Sequence, residues 1–215
     1  MLENLRFYIV YLALIALIIG LVFFHKLPNY KSKSIVVLIF LSFVVEFIGI
    51  NFSSWTGITN YFIFNFYMLL SFIYYIVLLK SLVKKITYKI TANIFLITFI
   101  GFYIVNFFLI QNNLNITFTY SFALGVFFIL ILSSLYLMEL FDSDNILNFK
   151  YSIYFWFILG VLLFHVPFLP FMLAIDWFLI QRVESIYSLV IFVLNFFMYT
   201  CFIIGFVWSE KKYNY

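Results

Sequence analysis

Of the 215 residues, 67% are apolar, 25% aromatic and only 9% charged, where an ordinary soluble domain is roughly half apolar and about a quarter charged. Twelve basic and eight acidic side chains are too few to clothe a water-facing surface, so lipid is the solvent that fits. The formal net charge of +4 falls in short clusters between apolar runs, the pattern of membrane-topology signals and not of a nucleic-acid footprint.

A hydrocarbon core of about 30 Å takes roughly 20 apolar helical residues. Seven stretches meet that length, at 6–24, 34–51, 60–79, 88–110, 115–140, 151–173 and 184–208. They predict an all-α, polytopic transmembrane helix bundle of about seven spanning helices. The runs are continuously apolar instead of alternating, which argues against a β-barrel. The links are short, so 1–215 is expected to be one transmembrane domain.

The first run follows Met1-Leu2-Glu3-Asn4 and lacks a small-x-small cleavage site before His25-Lys26, so it reads as a retained helix and not a signal peptide. The second run carries Glu46 about five positions before its outer end. The third carries Asn65 at similar depth, and the fourth carries Asn106 about four positions from its end. The fifth ends inside at Glu139, beside Asp142 and Asp144, where a hydrated acidic face is expected. The sixth holds His165 about eight positions below the outer end, with Pro167 and Pro170 expected to kink or end the helix there. His165 is placed to satisfy carbonyls that Pro167 frees. The following 174–179 segment is expected along the outer interface, with Trp177 at headgroup depth. Asp176 and Glu184 flank Arg182 as a solvated surface set. The seventh run contains Asn195 and the lone cysteine, Cys201, expected as a small buried hydrophobe.

Orientation follows from Lys and Arg. With the N-terminus outside and the C-terminus inside, ten basic residues fall inside: Lys26, Lys31, Lys33, Lys80, Lys84, Lys85, Lys89, Lys150, Lys211 and Lys212. Two, Arg6 and Arg182, fall outside. The bias alternates along the chain as an odd helix count requires.

Polar groups in hydrocarbon are costly and face the bundle interior. Glu46, Asn65, Asn106 and His165 share the outer half of the membrane by depth, with Asn195 as a floor. One reading is an outward-facing ligand pocket, with Glu46 and His165 as a titratable pair and the asparagines as hydrogen-bonding groups. The other is a set of separate interhelical hydrogen bonds that hold the bundle together.

No phosphate-binding G-x-x-x-x-G-K-[ST] loop, zinc-binding H-E-x-x-H or Cys/His set, or G-x-S-x-G nucleophile turn occurs. The seventh run has no lysine for a retinal Schiff base, and no Pro-Gln dipeptide is present. Enzyme is therefore the poorest class, and no cofactor or metal is assigned.

The stretch Asn60-Tyr61-Phe62-Ile63-Phe64-Asn65-Phe66-Tyr67-Met68-Leu69-Leu70, with Asn195 in an aromatic last helix and a short basic tail, resembles small, uncharacterised seven-helix bacterial membrane proteins. It is loosely similar to the seven-helix modules of bacterial sensor receptors. Those continue into cytoplasmic signalling domains, whereas this sequence ends at Trp208-Ser209-Glu210-Lys211-Lys212-Tyr213-Asn214-Tyr215. The resemblance implies a sensory or accessory module whose partner docks at Lys80, Lys84, Lys85 and Lys89 or at the tail. The Phe-, Ile-, Tyr-, Asn- and Lys-rich composition hints at an AT-rich genome and suits a bacterial inner membrane. A small-solute carrier using the same pocket is the alternative, weakened by the apolar inner half of the last two helices. A structural subunit of a membrane complex is the third reading.

Overall fold

The structure, a computed structural model, describes residues 5–142, 144–175 and 184–214. Among them it is helical, with no strand: α1 (Leu5–Val22), α2 (Tyr30–Thr56), α3 (Tyr61–Leu82), α4 (Ile86–Val105), α5 (Thr119–Phe141), α6 (Ile153–Leu173) and α7 (Glu184–Trp208). Six of the seven are long and apolar enough to cross a membrane. The apolar stretch of α1, Phe7–Val22, is shorter, at about 24 Å, and is prolonged by the 3₁₀ turn Phe24–Lys26. The chain is a multi-pass α-helical membrane protein of about seven helices. The expectations for Asp176, Trp177 and Arg182 lie outside the described residues, as do the side chains of Arg6, Asp144 and Glu184.

The helix limits differ from the sequence expectation where local chemistry stops or starts them. α2 begins at Tyr30 because Asn29 caps it: Asn29 Oδ1 accepts the Ser32 N–H at 2.9 Å, the usual bond of an N-cap asparagine. It runs on to Thr56 and ends at Gly57, whose φ of +72° is the left-handed conformation that glycine adopts at helix C-termini. α5 starts at Thr119, not 115, because the preceding peptide groups find partners outside a helix, as described below. Pro167 and Pro170 lie inside α6, which ends at Leu173. Each lacks an N–H, so the carbonyls of Leu163 and Val166 lose their helical donor.

By contact the chain divides into two compact units, residues 1–50 with 145–215, and residues 51–144. In the first unit, α7 packs on α6 and on α1. Small residues allow the close approach. A Cβ added at Gly160 would stand 2.8 Å from Phe202 and 2.9 Å from the Met198 carbonyl oxygen, and one at Gly205 would stand 2.9 Å from Trp156 Cβ. Phe157 and Phe202 stack at 5.0 Å across the α6–α7 seam. Cys201 is free and buried there.

One end of the first unit is tied by a polar knot. Asn214 Oδ1 accepts the Ile153 N–H at 2.8 Å, so the tail caps α6 from a distance in sequence. Its carbonyl accepts from Asn29 Nδ2 at 2.6 Å and from the Tyr154 hydroxyl at 3.3 Å. Tyr154 also donates to Asn29 Oδ1 at 2.9 Å, and Glu210 N–H donates to the Tyr151 carbonyl at 3.0 Å. Lys26 Nζ donates to the Val207 carbonyl at 2.9 Å, near the C-terminus of α7, where a cation meets the negative end of the helix dipole.

The second unit is centred on Phe72 of α3, which meets Phe99 of α4 at 5.5 Å and Phe122 of α5 at 5.7 Å. Phe95 and Phe128 stack at 4.2 Å between α4 and α5. At one end Glu139 of α5 accepts the backbone N–H groups of Lys84 and Lys85 at 2.6 and 2.8 Å. Those peptides open α4, so the carboxylate sits at the positive end of that helix.

Candidate functional site

Asn65 and Asn106 belong to the second unit and gather round the same segment, the link between α4 and α5. Asn65, on the first turns of α3, is buried. Its Nδ2 donates to the Ile116 carbonyl at 2.8 Å and its Oδ1 accepts the Phe118 N–H at 3.0 Å. The carboxamide thus pairs with both a carbonyl and an N–H of the link, which holds Ile116 and Phe118 outside a helix and explains the late start of α5. The Tyr103 hydroxyl donates to the Asn65 carbonyl at 3.1 Å, and Thr59 donates to Asn115 Oδ1 at 2.9 Å.

Asn106 opens a π turn, Asn106–Ile110, at the end of α4. Its Nδ2 donates to Gln111 Oε1 at 3.1 Å and to Ser121 Oγ at 2.8 Å. Gln111 also donates to the Thr119 hydroxyl at 3.1 Å and to the Thr117 carbonyl at 3.3 Å. Asn106 Oδ1 is buried with no hydrogen-bond partner among the described residues. The sequence reading missed Gln111 and Ser121. Gln111 falls in the short polar run before Leu114, where a loop residue is expected, and one serine in an apolar helix carries no signal.

Glu46, His165 and Asn195 belong to the first unit. Glu46 is half-buried on α2. His165 and Asn195 are buried on α6 and α7, which pair closely. Both bond backwards along their own helix: His165 Nδ1 lies 2.8 Å from the Val161 carbonyl, and Asn195 Nδ2 donates to the Ile191 carbonyl at 2.9 Å. Facing a carbonyl, Nδ1 carries the proton, which leaves Nε2 as the acceptor nitrogen. The carbonyl it meets is its own i−4 partner, Val161, not Leu163, the one that Pro167 frees. These two bonds lie within a helix, unlike those of Asn65 and Asn106, which join separate segments.

Several lysines at the helix ends lie over aromatic rings: Lys26 over Phe23 at 4.5 Å, Lys33 over Phe24 at 5.4 Å, Lys85 over Tyr88 at 5.3 Å and Lys212 over Tyr213 at 4.6 Å. The Lys212 ammonium pKa is raised by its hydrogen bond to Tyr213 and then by Glu210.

This is a polytopic α-helical membrane protein in which two buried asparagines, Asn65 and Asn106, bond the α4–α5 link. No family model, curated protein or solved structure matches the chain.

Proposed function

We propose that the protein is a sensory or accessory module of a bacterial inner membrane, with its N-terminus outside and its C-terminus inside, in which α5 relays changes at the outer amide cluster to the lysine-bearing inner link. The observation that carries this reading is the bonding of α5 at both ends. Ser121 accepts from Asn106 at one end, and Glu139 accepts the Lys84 and Lys85 N–H groups at the other. Ser121 and Glu139 are 18 positions apart, about 27 Å along the helix. A rigid helix anchored at both ends cannot shift at one without loading the other. Lys80, Lys84, Lys85 and Lys89 would then present the change to an anionic partner. Glu46, His165 and Asn195 remain candidates for a ligand site in the first unit, with Glu46 supplying charge and the imidazole Nε2 an acceptor.

The test is amide hydrogen exchange at Lys84 and Lys85 in Asn106→Ala. Weakening the outer anchor by about 1 kcal/mol allows roughly fivefold faster exchange at the inner link. Phe95→Leu, which lowers stability without touching either anchor, serves as control. Equal exchange in the two variants would remove the relay.

One observation favours a structural-subunit reading instead: both amide atoms of Asn65 are committed to the chain, which makes that residue a brace. An intact stoichiometric complex that loses only stability, and no signal, on Asn65→Ala would support it.

A further inference from the structure

Asn106 has four kinds of polar atom to satisfy, and all but one are accounted for. Its N–H meets the Phe102 and Tyr103 carbonyls, and its own carbonyl accepts the Gln111 N–H at 2.8 Å. The two Nδ2 hydrogens go to Gln111 Oε1 and Ser121 Oγ. Only Oδ1 has no partner among the described residues, in a residue with 0% of its surface exposed. The orientation of the amide is determined by its neighbours. The Tyr120 N–H donates to Gln111 Oε1 at 3.3 Å, which makes that atom the oxygen, and an oxygen facing Asn106 requires the NH2 group there.

Ser121 supplies the complement. It is fully buried, and its Oγ accepts from Asn106. Its hydroxyl hydrogen has no acceptor among the described residues. A free acceptor and a free donor therefore lie side by side. The oxygen and nitrogen of a carboxamide are separated by no more than about 2.6 Å. With Nδ2 at 2.8 Å from Ser121 Oγ, Oδ1 stands within about 5.4 Å of that oxygen, and one oxygen atom making two hydrogen bonds of about 2.8 Å can bridge such a gap.

We propose that Asn106 Oδ1 and Ser121 Oγ form a binding site for a hydroxyl group, either a buried water or the alcohol of a small solute. The group must donate once, to Oδ1, and accept once, from the serine. A water or an alcohol does both, whereas an ammonium only donates and a carboxylate or phosphate only accepts. The π turn that begins at Asn106 is a distortion of the kind found at functional sites. The site does not depend on relay through α5: the relay is measured at the Lys84 and Lys85 amides, and the site at the Asn106 side chain.

The experiment uses the full chain in lipid nanodiscs with ¹⁵N-labelled asparagine. The rotating-frame NOE between water and the Asn106 side-chain amide is recorded, the resonance being assigned by its disappearance in Asn106→Leu or, should that variant not fold, by its shift in Ser121→Ala. The expected result is a dipolar cross-peak to water that is lost in Ser121→Ala while the amide resonance itself persists. If added glycerol leaves the peak unchanged, the occupant is water; if glycerol abolishes it and shifts the amide resonance, the site takes a solute hydroxyl. A wild-type protein with neither a water cross-peak nor a glycerol-dependent shift overturns the site. So does a cross-peak that survives Ser121→Ala.

Discussion

At Gly160 a single methyl group has nowhere to go. A Cβ there would lie 2.9 Å from the Met198 carbonyl oxygen, and backbone on a packed helix does not yield. Gly160→Ala should therefore destabilise the first unit by about 1–3 kcal/mol, read as a lower Tm in detergent. Gly125→Ala should do the same in the second unit, because the added carbon would stand 2.7 Å from the Phe72 ring, itself wedged between Phe99 and Phe122. Gly101 is the contrast: nothing lies within 4 Å of its would-be Cβ, so Gly101→Ala should stabilise α4 by roughly 0.5–1 kcal/mol. An unchanged Tm for Gly160→Ala, or a loss for Gly101→Ala equal to that for Gly125→Ala, would contradict this packing. The three glycines look alike in the sequence, since what separates them is which aromatic ring from another helix arrives opposite. The polar residues divide in the same way. Depth along a span singled out Asn65 and Asn106, but not that their amides hold the α4–α5 link, because that depends on where the link folds back.

Among the elements, the spans were legible and their caps were not. Twenty-residue apolar runs place the helices within a few residues of where they occur, because the cost of unsatisfied backbone in lipid leaves little choice. The caps come from far along the chain. Asn214 caps Ile153 and Glu139 caps Lys84 and Lys85, whereas capping signals in a sequence are sought within a few residues of a helix start. Glu139, expected on a hydrated acidic face, is half-buried and holds the start of α4. Among the described residues, only Asn29, next to the start of α2 and followed by Ser32, follows the local pattern. The α6 cap gives a sharp expectation. Asn214→Ala removes the acceptor for the Ile153 N–H and should cost about 1–2 kcal/mol. Tyr154→Phe removes one hydroxyl from the same knot, leaves that acceptor in place, and should cost less. Thermal unfolding of the two variants in one detergent checks the order, and a reversal would mean that Asn29, not the cap on α6, holds the tail.

For the whole molecule, alternating helices make a statement about sides that the bonding supports unit by unit. In the first unit the α1–α2 link, the start of α6 and the tail after α7 meet at one end, as they must if α1, α2, α6 and α7 alternate as first, second, sixth and seventh spans. In the second unit the α3–α4 link meets the end of α5, while Thr59 and Asn65 meet the α4–α5 link at the other end. Lys26, Lys33, Lys211 and Lys212 collect at the knotted end of the first unit, and Lys84 and Lys85 at the Glu139 end of the second. The proposed orientation, from the positive-inside bias, expects each of these ends on the inner side. Single cysteines in a Cys201→Ser background test it, because Asn113, Lys84 and Lys212 are all exposed in the structure. In intact cells a membrane-impermeant maleimide should label Asn113→Cys and leave Lys84→Cys and Lys212→Cys untouched until the membrane is permeabilised. The opposite pattern would invert the molecule while preserving its helix count. Labelling of Asn113→Cys and Lys84→Cys from the same side would break the alternation itself, since α4 could not then cross the bilayer between them.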